Sequence, residues 1–217
     1  MDDLIIIGAG DFGREIVNLV NRINGCNFDK AWNIVGFVDD NPDLQGKVIN
    51  GVEVIGNISS INSCKKSVYV ICSIGSAKKR KEVIESICNP MIKYAVLIDP
   101  CADIYSGADI SEGCVVCGGT ILAIDVKLGK HVVVNLNCNL GHDVIVDDYC
   151  VLNPGTIISG KCNIKECSDL GTGTSVIQGL TIGPNTVIGA GAVVIRDIQP
   201  NCMAAGNPAI VKKTFSN

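Results

Sequence analysis

An apolar residue recurs at every sixth position through the second half of the chain, from Ile98 to Val194. All seventeen of these positions hold Ile, Leu or Val, and the register never slips. An α-helix repeats about every 3.6 residues and a simple strand at every second residue, so neither explains a period of six. A strict hexad is typical of a parallel β-helix, in which short strands stack coil upon coil.

The residues around these hexad anchors also follow a pattern. The position two before each anchor is small or β-branched everywhere except at Leu180, so we expect it to point into a narrow interior. Four of these positions hold cysteine: Cys114, Cys138, Cys150 and Cys162. Glycine often directly follows the anchor, where we expect the coil to turn, as at Gly129, Gly141, Gly171, Gly183 and Gly189.

The first half of the chain has a different period. Apolar runs alternate with an amphipathic helical pattern, which favours a small parallel sheet wound in the Rossmann manner. The expected strands are Leu4–Ile7, Ile34–Val38 and Val68–Cys72. We therefore divide the chain into an α/β domain at 1–97 and a β-helix domain at 98–217.

The first strand is followed by a glycine-rich loop, Gly8-Ala9-Gly10-Asp11-Phe12-Gly13, which opens a helix. Glycines let the backbone approach a phosphate, and the acidic Asp39-Asp40 pair that ends the second strand can accept hydrogen bonds from a ribose or a base. The pattern predicts a nucleotide site, with a ligand-free strand-to-helix turn as the alternative. A dehydrogenase is disfavoured, because this half lacks the second mononucleotide unit of a dinucleotide fold.

Composition excludes several classes of protein. Of the 217 residues 47% are hydrophobic and 18% charged, which is typical of a chain that buries a core. The net charge of −4 without a basic stripe argues against nucleic acid, and no apolar stretch is long enough to span a membrane. With no secretory leader, twelve cysteines indicate reduced thiols in a cytoplasmic protein. Cys114-x-x-Cys117 lacks a matching second pair, so we expect no metal site.

Three segments, together with the hexads, resemble a known family. They are Gly8-Ala9-Gly10-Asp11-Phe12-Gly13, Gly36-Phe37-Val38-Asp39-Asp40 and the closing Gly206-Asn207-Pro208-Ala209. The chain is similar, over nearly its whole length, to hexapeptide-repeat acyltransferases of the sialic-acid O-acetyltransferase and nucleotide-amino-sugar N-acetyltransferase (NeuD/PglD-like) family. The resemblance implies a Rossmann-like domain followed by a left-handed β-helix. It also implies a homotrimer with acetyl-CoA between neighbouring β-helices and the nucleotide-sugar on the N-terminal domain.

Acetyl transfer needs a base, and the chain has two histidines. His142 is followed by Asp143, a carboxylate able to fix its tautomer, and the resemblance implies that this pair is catalytic. His131 has no acidic neighbour in sequence, so we expect a structural role for it. Two histidines also argue against the carbonic anhydrases of this fold, whose zinc needs three.

The resemblance further implies two sets of binding residues. The nucleotide-sugar is expected to meet Gly10, Asp11, Phe12, Asp39, Asp40 and Gly75. Acetyl-CoA is expected to meet Val151, Gly160, Thr172 and Ala190. The chain departs from the family at two of these positions, since Phe12 and Val151 stand where members carry histidine. Lys212 and Lys213 are either contacts for the CoA phosphates or a solvated pair.

The resulting hypothesis is an acetyl-CoA-dependent N-acetyltransferase that acts on the amino group of a nucleotide-linked 4-amino-deoxy sugar. One alternative is O-acetylation of a sugar of the sialic acid type by the same residues. Another alternative, of a different class, is a non-catalytic trimeric protein that binds a nucleotide-sugar. This alternative stays open because Val151 stands where members of the family carry a histidine that contacts acetyl-CoA.

Overall fold

The computed structural model describes residues 1–26 and 32–215. Contacts divide the chain into two compact units, Met1–Pro100 and Cys101–Asn217. The division by contacts falls after residue 100, whereas the first hexad anchor places the boundary after residue 97.

The first unit is an α/β unit built on one six-stranded sheet in the order β3-β4-β2-β1-β5-β6. Its strands are β1 (Asp2–Ile7), β2 (Trp32–Val38), β3 (Val48–Ile49), β4 (Val52–Gly56), β5 (Val68–Cys72), β6 (Ile92–Tyr94) and β7 (Leu97–Ile98), the last lying outside this sheet. Its helices are α1 (Asp11–Cys26) and α2 (Ala77–Glu85), with short 3-10 helices at Pro42–Leu44 and Ile58–Ser63. The three strands that the sequence predicts are confirmed as β1, β2 and β5.

The central strand β1 explains why its sequence is continuously apolar. It pairs in parallel with β2 on one side and β5 on the other, so that Leu4 stands opposite Ile34 and Tyr69. Leu4 and Ile6 are fully buried. The helix α1 buries the apolar face that the sequence predicts, with Ile16 and Val20 at its centre. The sheet therefore presents the loops after β1, β2 and β5 at neighbouring positions of one edge.

The sheet departs from a purely parallel arrangement at one edge. Strand β3 pairs antiparallel with β4, with Ile49 opposite Val52. The two residues between them, Asn50 and Gly51, have positive φ values of 47° and 79°. Asn-Gly favours this two-residue turn, because its twist matches that of the paired strands. The predicted parallel sheet is confirmed for β4, β2, β1, β5 and β6, and β3 adds one antiparallel strand at its edge.

The second unit is a left-handed parallel β-helix of two-residue strands. They are β8 (Asp103–Ile104), β9 (Asp109–Ile110), β10 (Val115–Val116), β11 (Ile121–Leu122), β12 (Lys127–Leu128), β13 (Val133–Val134), β14 (Asn139–Leu140), β15 (Ile145–Val146), β16 (Val151–Leu152), β17 (Ile157–Ile158), β18 (Asn163–Ile164), β19 (Asp169–Leu170), β20 (Ser175–Val176), β21 (Thr181–Ile182), β22 (Val187–Ile188) and β23 (Val193–Val194). Leu122 pairs with Leu140, and Leu140 with Ile158, so three hexads complete one coil.

The interior of the β-helix is filled as the hexads predict. From Leu122 onward the anchors are at most 2% exposed. The four cysteines that precede anchors by two positions are at most 1% exposed, which confirms that they point inward. Small thiols and Ile, Leu or Val side chains together pack the narrow prism without aromatic rings.

The corners of the β-helix turn at a different residue from the one that the sequence suggests. The third residue after each anchor, from Gly107 to Gly191, has positive φ, and eight of these fifteen residues are not glycine. The glycines directly after anchors do not have positive φ. They lie where coils approach closely: a Cβ on Gly141 would stand 2.6 Å from the backbone nitrogen of Gly160. Close approach, rather than the turn, requires glycine there.

A β-hairpin follows the last coil. Its strands are β24 (Cys202–Ala205), which pairs in parallel with β22, and β25 (Ile210–Thr214), which pairs antiparallel with β24. The turn between them contains the predicted Gly206-Asn207-Pro208-Ala209 segment. Among the described residues, no helix has the length and apolarity that crossing a membrane requires.

Candidate active site

His142 lies on a corner of the β-helix, two residues after the anchor Leu140 of β14. Its Nδ1 atom is 2.8 Å from Oδ2 of Asp143, which is the left-handed corner residue with φ 59°. The two side chains are 61% and 51% exposed, so a substrate can reach the imidazole. The predicted pair is therefore in hydrogen-bond contact.

The contact selects one tautomer of the neutral imidazole ring. A carboxylate can only accept hydrogen bonds, so Nδ1 of His142 carries the proton that it donates to Asp143. The lone pair of the neutral ring is then on Nε2, the nitrogen opposite the carboxylate. This tautomer is the one that a general base needs.

His131 has the opposite environment. It is 2% exposed and its ring stacks on Tyr149 with a centroid distance of 5.2 Å and an interplanar angle of 11°. Its backbone occupies a left-handed corner position, φ 56°. Its ring lies over Gly113, where a Cβ would stand 2.1 Å from Nδ1. These contacts suit a packing role, and the enclosed ring is not open to a substrate.

The loops predicted to bind the nucleotide-sugar meet at one edge of the first unit's sheet. They follow β1, β2 and β5, which are neighbours. Two glycines of the glycine-rich loop have backbone positions that a side chain would not fit. Gly8 has φ 97°, and a Cβ on Gly13 would stand 2.3 Å from the Gly8 carbonyl oxygen, so helix and loop touch. Gly10 is exposed, and its Cβ would meet nothing within 4 Å, which leaves the start of α1 open to an anion.

The two carboxylates of the acidic pair have different surroundings. Asp39 accepts from the backbone N–H of Ala9 through Oδ2 and from that of Asn41 through Oδ1, both at 2.8 Å, and so ties two loops together. Asp40 accepts from the N–H of Ile58 through Oδ1 at 3.0 Å. Its Oδ2 has no partner within residues 1–26 and 32–215, so it is available to a ligand hydroxyl or N–H group.

Three other predicted sugar contacts lie in the same loops. Asp11 is the first residue of α1, is exposed and pairs with Arg14 at 2.7 Å. Phe12 is half-buried in the first turn of the helix. Gly75 is exposed in the loop after β5, with nothing within 4 Å of its Cβ position.

Two buried polar residues that the sequence analysis missed support these loops. The Ser73 hydroxyl lies 2.8 Å from the carbonyl oxygens of both Ile7 and Gly8. Arg80 is 1% exposed and donates from Nη1 to the carbonyl oxygen of Ile74 at 2.8 Å. Arg80 is one of four consecutive cationic residues, Lys78-Lys79-Arg80-Lys81. Only its position on the buried face of α2 distinguishes Arg80 from the three lysines.

The residues predicted to meet acetyl-CoA lie on two corners and one face of the β-helix. Thr172 and Ala190 are exposed and stand one coil apart on the corners that precede β20 and β23. Gly160 follows β17, on the same type of corner as His142 and one coil further along. The face made by β14, β17, β20 and β23 therefore lies between the two corners. Val151 lies in β16 on another face and is 4% exposed.

A surface groove of about 490 Å³ contains none of the predicted site residues. It crosses the face that includes β9, β12 and β15. Its polar lining consists mainly of four carboxylates: Asp109, Asp147, Asp148 and Glu166. This concentration of negative charge opposes binding of the CoA phosphates, so the groove is a poor acetyl-CoA site.

Buried thiols in the two units are poor nucleophiles. Desolvation by burial raises the pKa of Cys72 to about 11 and that of Cys138 to about 11. Both stay protonated near neutral pH, and the thiolate is the reactive form. None of the twelve cysteines forms a disulfide, and the described residues contain no group of three or more potential metal ligands.

Comparison with known proteins begins with the first unit. Residues 3–87 match the family described as the PglD N-terminal domain. The chain is 29% identical over 212 residues to GDP-perosamine N-acetyltransferase from Escherichia coli O157:H7, covering 94% of this chain and 93% of that protein.

Two solved structures resemble the whole chain. One is the acetyltransferase domain of PglB from Neisseria gonorrhoeae FA1090 in complex with acetyl coenzyme A, at 31% identity and a TM-score of 0.86, covering 96% of this chain and 98% of that one. The other is PerB from Caulobacter crescentus in complex with CoA and GDP-perosamine, at 24% identity and a TM-score of 0.88. It covers 98% of both chains and supports the fold.

Proposed function

Because the chain belongs to the NeuD/PglD-like family of hexapeptide-repeat acetyltransferases, we propose that it transfers the acetyl group of acetyl-CoA to the amino group of a nucleotide-linked 4-amino-deoxy sugar. The observation that carries this proposal is the exposed imidazole of His142, held by Asp143 with Nε2 free to accept a proton. The Escherichia coli relative, named as acting on GDP-perosamine, supports the substrate class.

In this reaction the sugar amine attacks the carbonyl carbon of the thioester. An N–C bond forms, the C–S bond breaks, and CoA leaves as the thiolate. His142 takes the N–H proton on Nε2 as the nitrogen becomes positive, and then delivers it to the departing sulfur. Asp143 stabilises the transient imidazolium through Nδ1. Holding the two substrates together supplies much of the remaining barrier reduction, so no acyl-enzyme is needed.

The loops of the first unit suit the nucleotide part of the substrate. The open N-terminus of α1 at Gly10 and Asp11 favours the diphosphate, since the helix dipole and free N–H groups attract anions. Oδ2 of Asp40 can accept a hydrogen bond from ribose or base. In this proposal Phe12 and Gly75 line the sugar side of the loops, while Asp39 holds the glycine-rich loop in place.

Acetyl-CoA is proposed to lie along the face of β14, β17, β20 and β23. Thr172 and Ala190 border this face at one edge and His142 and Gly160 at the other. Exposed Ile157 at its centre offers an apolar surface to the pantetheine chain. Val151 is 4% exposed and its side chain has no polar atom, so it cannot make the polar contact that histidine makes at this place in the family.

The same part of the β-helix supports a homotrimer. Large apolar side chains are exposed on its face and corners, with Ile124 and Ile157 at 50% and Leu136 at 45% exposed. Neighbouring copies would remove this surface from water and enclose acetyl-CoA between them. Light scattering should therefore give three chains per particle. A fully active monomer would contradict this arrangement. The twelve cysteines, none of which is in a disulfide, further support a reducing, cytoplasmic setting.

The proposed activity can be tested by measuring CoA release with a panel of acceptors. The panel contains GDP-, UDP- and dTDP-linked 4-amino-deoxy sugars, their 4-hydroxy counterparts and sialic acid, with the His142→Ala variant as control. We expect release with at least one amino sugar and little with hydroxyl acceptors. Turnover of hydroxyl acceptors alone would identify an O-acetyltransferase. If calorimetry detects no acetyl-CoA binding at millimolar ligand, the chain is a nucleotide-sugar-binding protein instead.

A further inference from the structure

Gly160 occupies a corner position that does not itself require glycine. The second residue after each anchor carries a side chain at fourteen of the sixteen places from Ser106 to Arg196. Gly160 does not have positive φ. Ala190, at the equivalent place on another corner, shows that an alanine fits. The backbone therefore gives no reason for the absence of a side chain at residue 160.

The reason lies in the coil before it. His142 stands eighteen residues earlier on the same corner, and its imidazole covers Gly160. A Cβ on Gly160 would stand 2.6 Å from Nε2, 2.7 Å from Cε1 and 2.9 Å from Cδ2 of that ring. These three ring atoms are the nearest neighbours of that Cβ position, so the imidazole would have to move. The backbone carbonyl of His142 accepts from the N–H of Lys161 at 2.8 Å, which keeps the two coils in register.

We infer that Gly160 is a positioning residue for His142. Because Gly160 has no side chain, the imidazole packs flat against its backbone and Nε2 stays accessible. Two contacts then define the ring: the hydrogen bond from Nδ1 to Asp143 and the contact of Nε2, Cε1 and Cδ2 with Gly160. A methyl group at residue 160 would push the ring away and would also cover Nε2. The inference rests on the proposed function in so far as His142 is the base.

This role differs from the backbone contact with acetyl-CoA that the family resemblance implies for Gly160. If the backbone of Gly160 contacts acetyl-CoA, a methyl group that crowds the cofactor would raise the KM for acetyl-CoA. Displacement of the base would lower kcat instead, because a misplacement of about 1 Å can cost about 10²-fold in rate. The two roles therefore predict different kinetic changes for the same substitution.

The test is the Gly160→Ala variant, with Gly25→Ala as the matched control. Gly25 lies near the end of α1, and its Cβ would meet nothing within 4 Å. We expect Gly160→Ala to lower kcat by about 10²-fold while the KM for acetyl-CoA stays within about twofold. We expect the control to match the wild type. In a His142→Ala background, Gly160→Ala should have no further effect on kcat, since the ring that it displaces is gone.

A readout without substrate separates this inference from the proposed function. The chain has two histidines, so NMR of the imidazole groups gives two sets of signals. We expect Gly160→Ala to shift the His142 signals and to leave those of His131 in place. Unchanged His142 signals in Gly160→Ala would overturn the inference. A raised KM for acetyl-CoA with a normal kcat would also overturn it, and so would a double variant in which the effects of Gly160→Ala and His142→Ala on kcat multiply. Failure of every sugar acceptor would instead overturn the proposed function, whatever the NMR result.

Discussion

Nδ1 of His142 lies 2.8 Å from Oδ2 of Asp143, the next residue along the same corner of the β-helix. The two residues are consecutive on the corner, and Asp143 has the left-handed backbone conformation of the corner residues, φ 59°. One hexad corner thus supplies both a base and the group that orients it.

Removal of the imidazole should abolish most of the activity. We expect His142→Ala to lower kcat by about 10²- to 10⁴-fold, the range for loss of a general base. Steady-state CoA release measures the effect. His131→Asn is the control, since asparagine occupies equivalent left-handed positions at residues 137 and 185. This control should retain kcat but unfold at a lower temperature, because the stacking on Tyr149 is lost. Activity of His142→Ala near the wild-type level would refute its role as the base.

Asp143→Asn should impair catalysis while leaving the turn intact. An asparagine amide can donate to Nδ1, which would move the ring proton to Nε2 and block the base. A buried triad loses about 10⁴-fold from the equivalent change. We expect a smaller loss of about 10- to 10²-fold here, because Asp143 is half exposed. The control is Asp125→Asn, at the same corner one coil earlier with φ 60°. Equal kcat values for the two variants would contradict the orienting role of Asp143.

Asp40→Asn should weaken binding of the nucleotide-sugar. The asparagine oxygen keeps the hydrogen bond from Ile58, but Oδ2 becomes an amide that cannot accept. Loss of a charged hydrogen bond corresponds to a KM increase of about 10- to 10²-fold, with kcat unchanged at saturation. Glu53→Gln, an exposed change on β4, serves as the charge-matched control. A KM for the sugar equal to that of this control would remove Asp40 from the site.

Alkaline pH should destabilise the fold through its buried thiols. Burial raises the pKa of Cys72 and of Cys138 from 9.0 to about 11. Above pH 9 the unfolded chain releases these protons and the folded chain does not, so stability is complete below pH 9 and falls towards pH 11. Each thiol contributes at most about 1.4 kcal/mol per pKa unit. Denaturant melts from pH 8 to 11 should show a shallower decline for Cys138→Ala, whereas an identical decline would exclude this thiol.

The β-helix could be predicted from sequence because one geometric requirement repeats at every coil. Anchors such as Leu140 and the interior thiol of Cys138 each fill a place fixed by the period of six. The left-handed conformation of the corner residues could not be predicted from their residue types, because Asp143, His131 and Tyr149 have similar φ values but chemically different side chains. This conformation follows from the stacking of one coil on the next.

The candidate site was less accessible to sequence reasoning. The His142-Asp143 pair is adjacent in sequence and could be predicted, but the ring's contact with Gly160 joins residues a full coil apart. In the first unit, the sequence does not distinguish Asp39 from Asp40. The hydrogen bonds from Ala9 and Asn41 occupy both carboxylate oxygens of Asp39, whereas within the described part of the chain Asp40 accepts through one oxygen only. The β3–β4 hairpin, by contrast, carries a local signal in Asn50-Gly51 that a closer reading of turns would find.

Transfer of an acetyl group to a sugar nitrogen can be tested by identifying the reaction product. The protein is incubated with acetyl-CoA and GDP-perosamine, followed by the UDP- and dTDP-linked 4-amino-deoxy sugars, and products are examined by mass spectrometry and NMR. We expect one added acetyl group on the 4-amino nitrogen, formed by the wild type and nearly lost with His142→Ala. An acetyl ester on a sugar oxygen, or no acetylated product from any amino sugar, would contradict it.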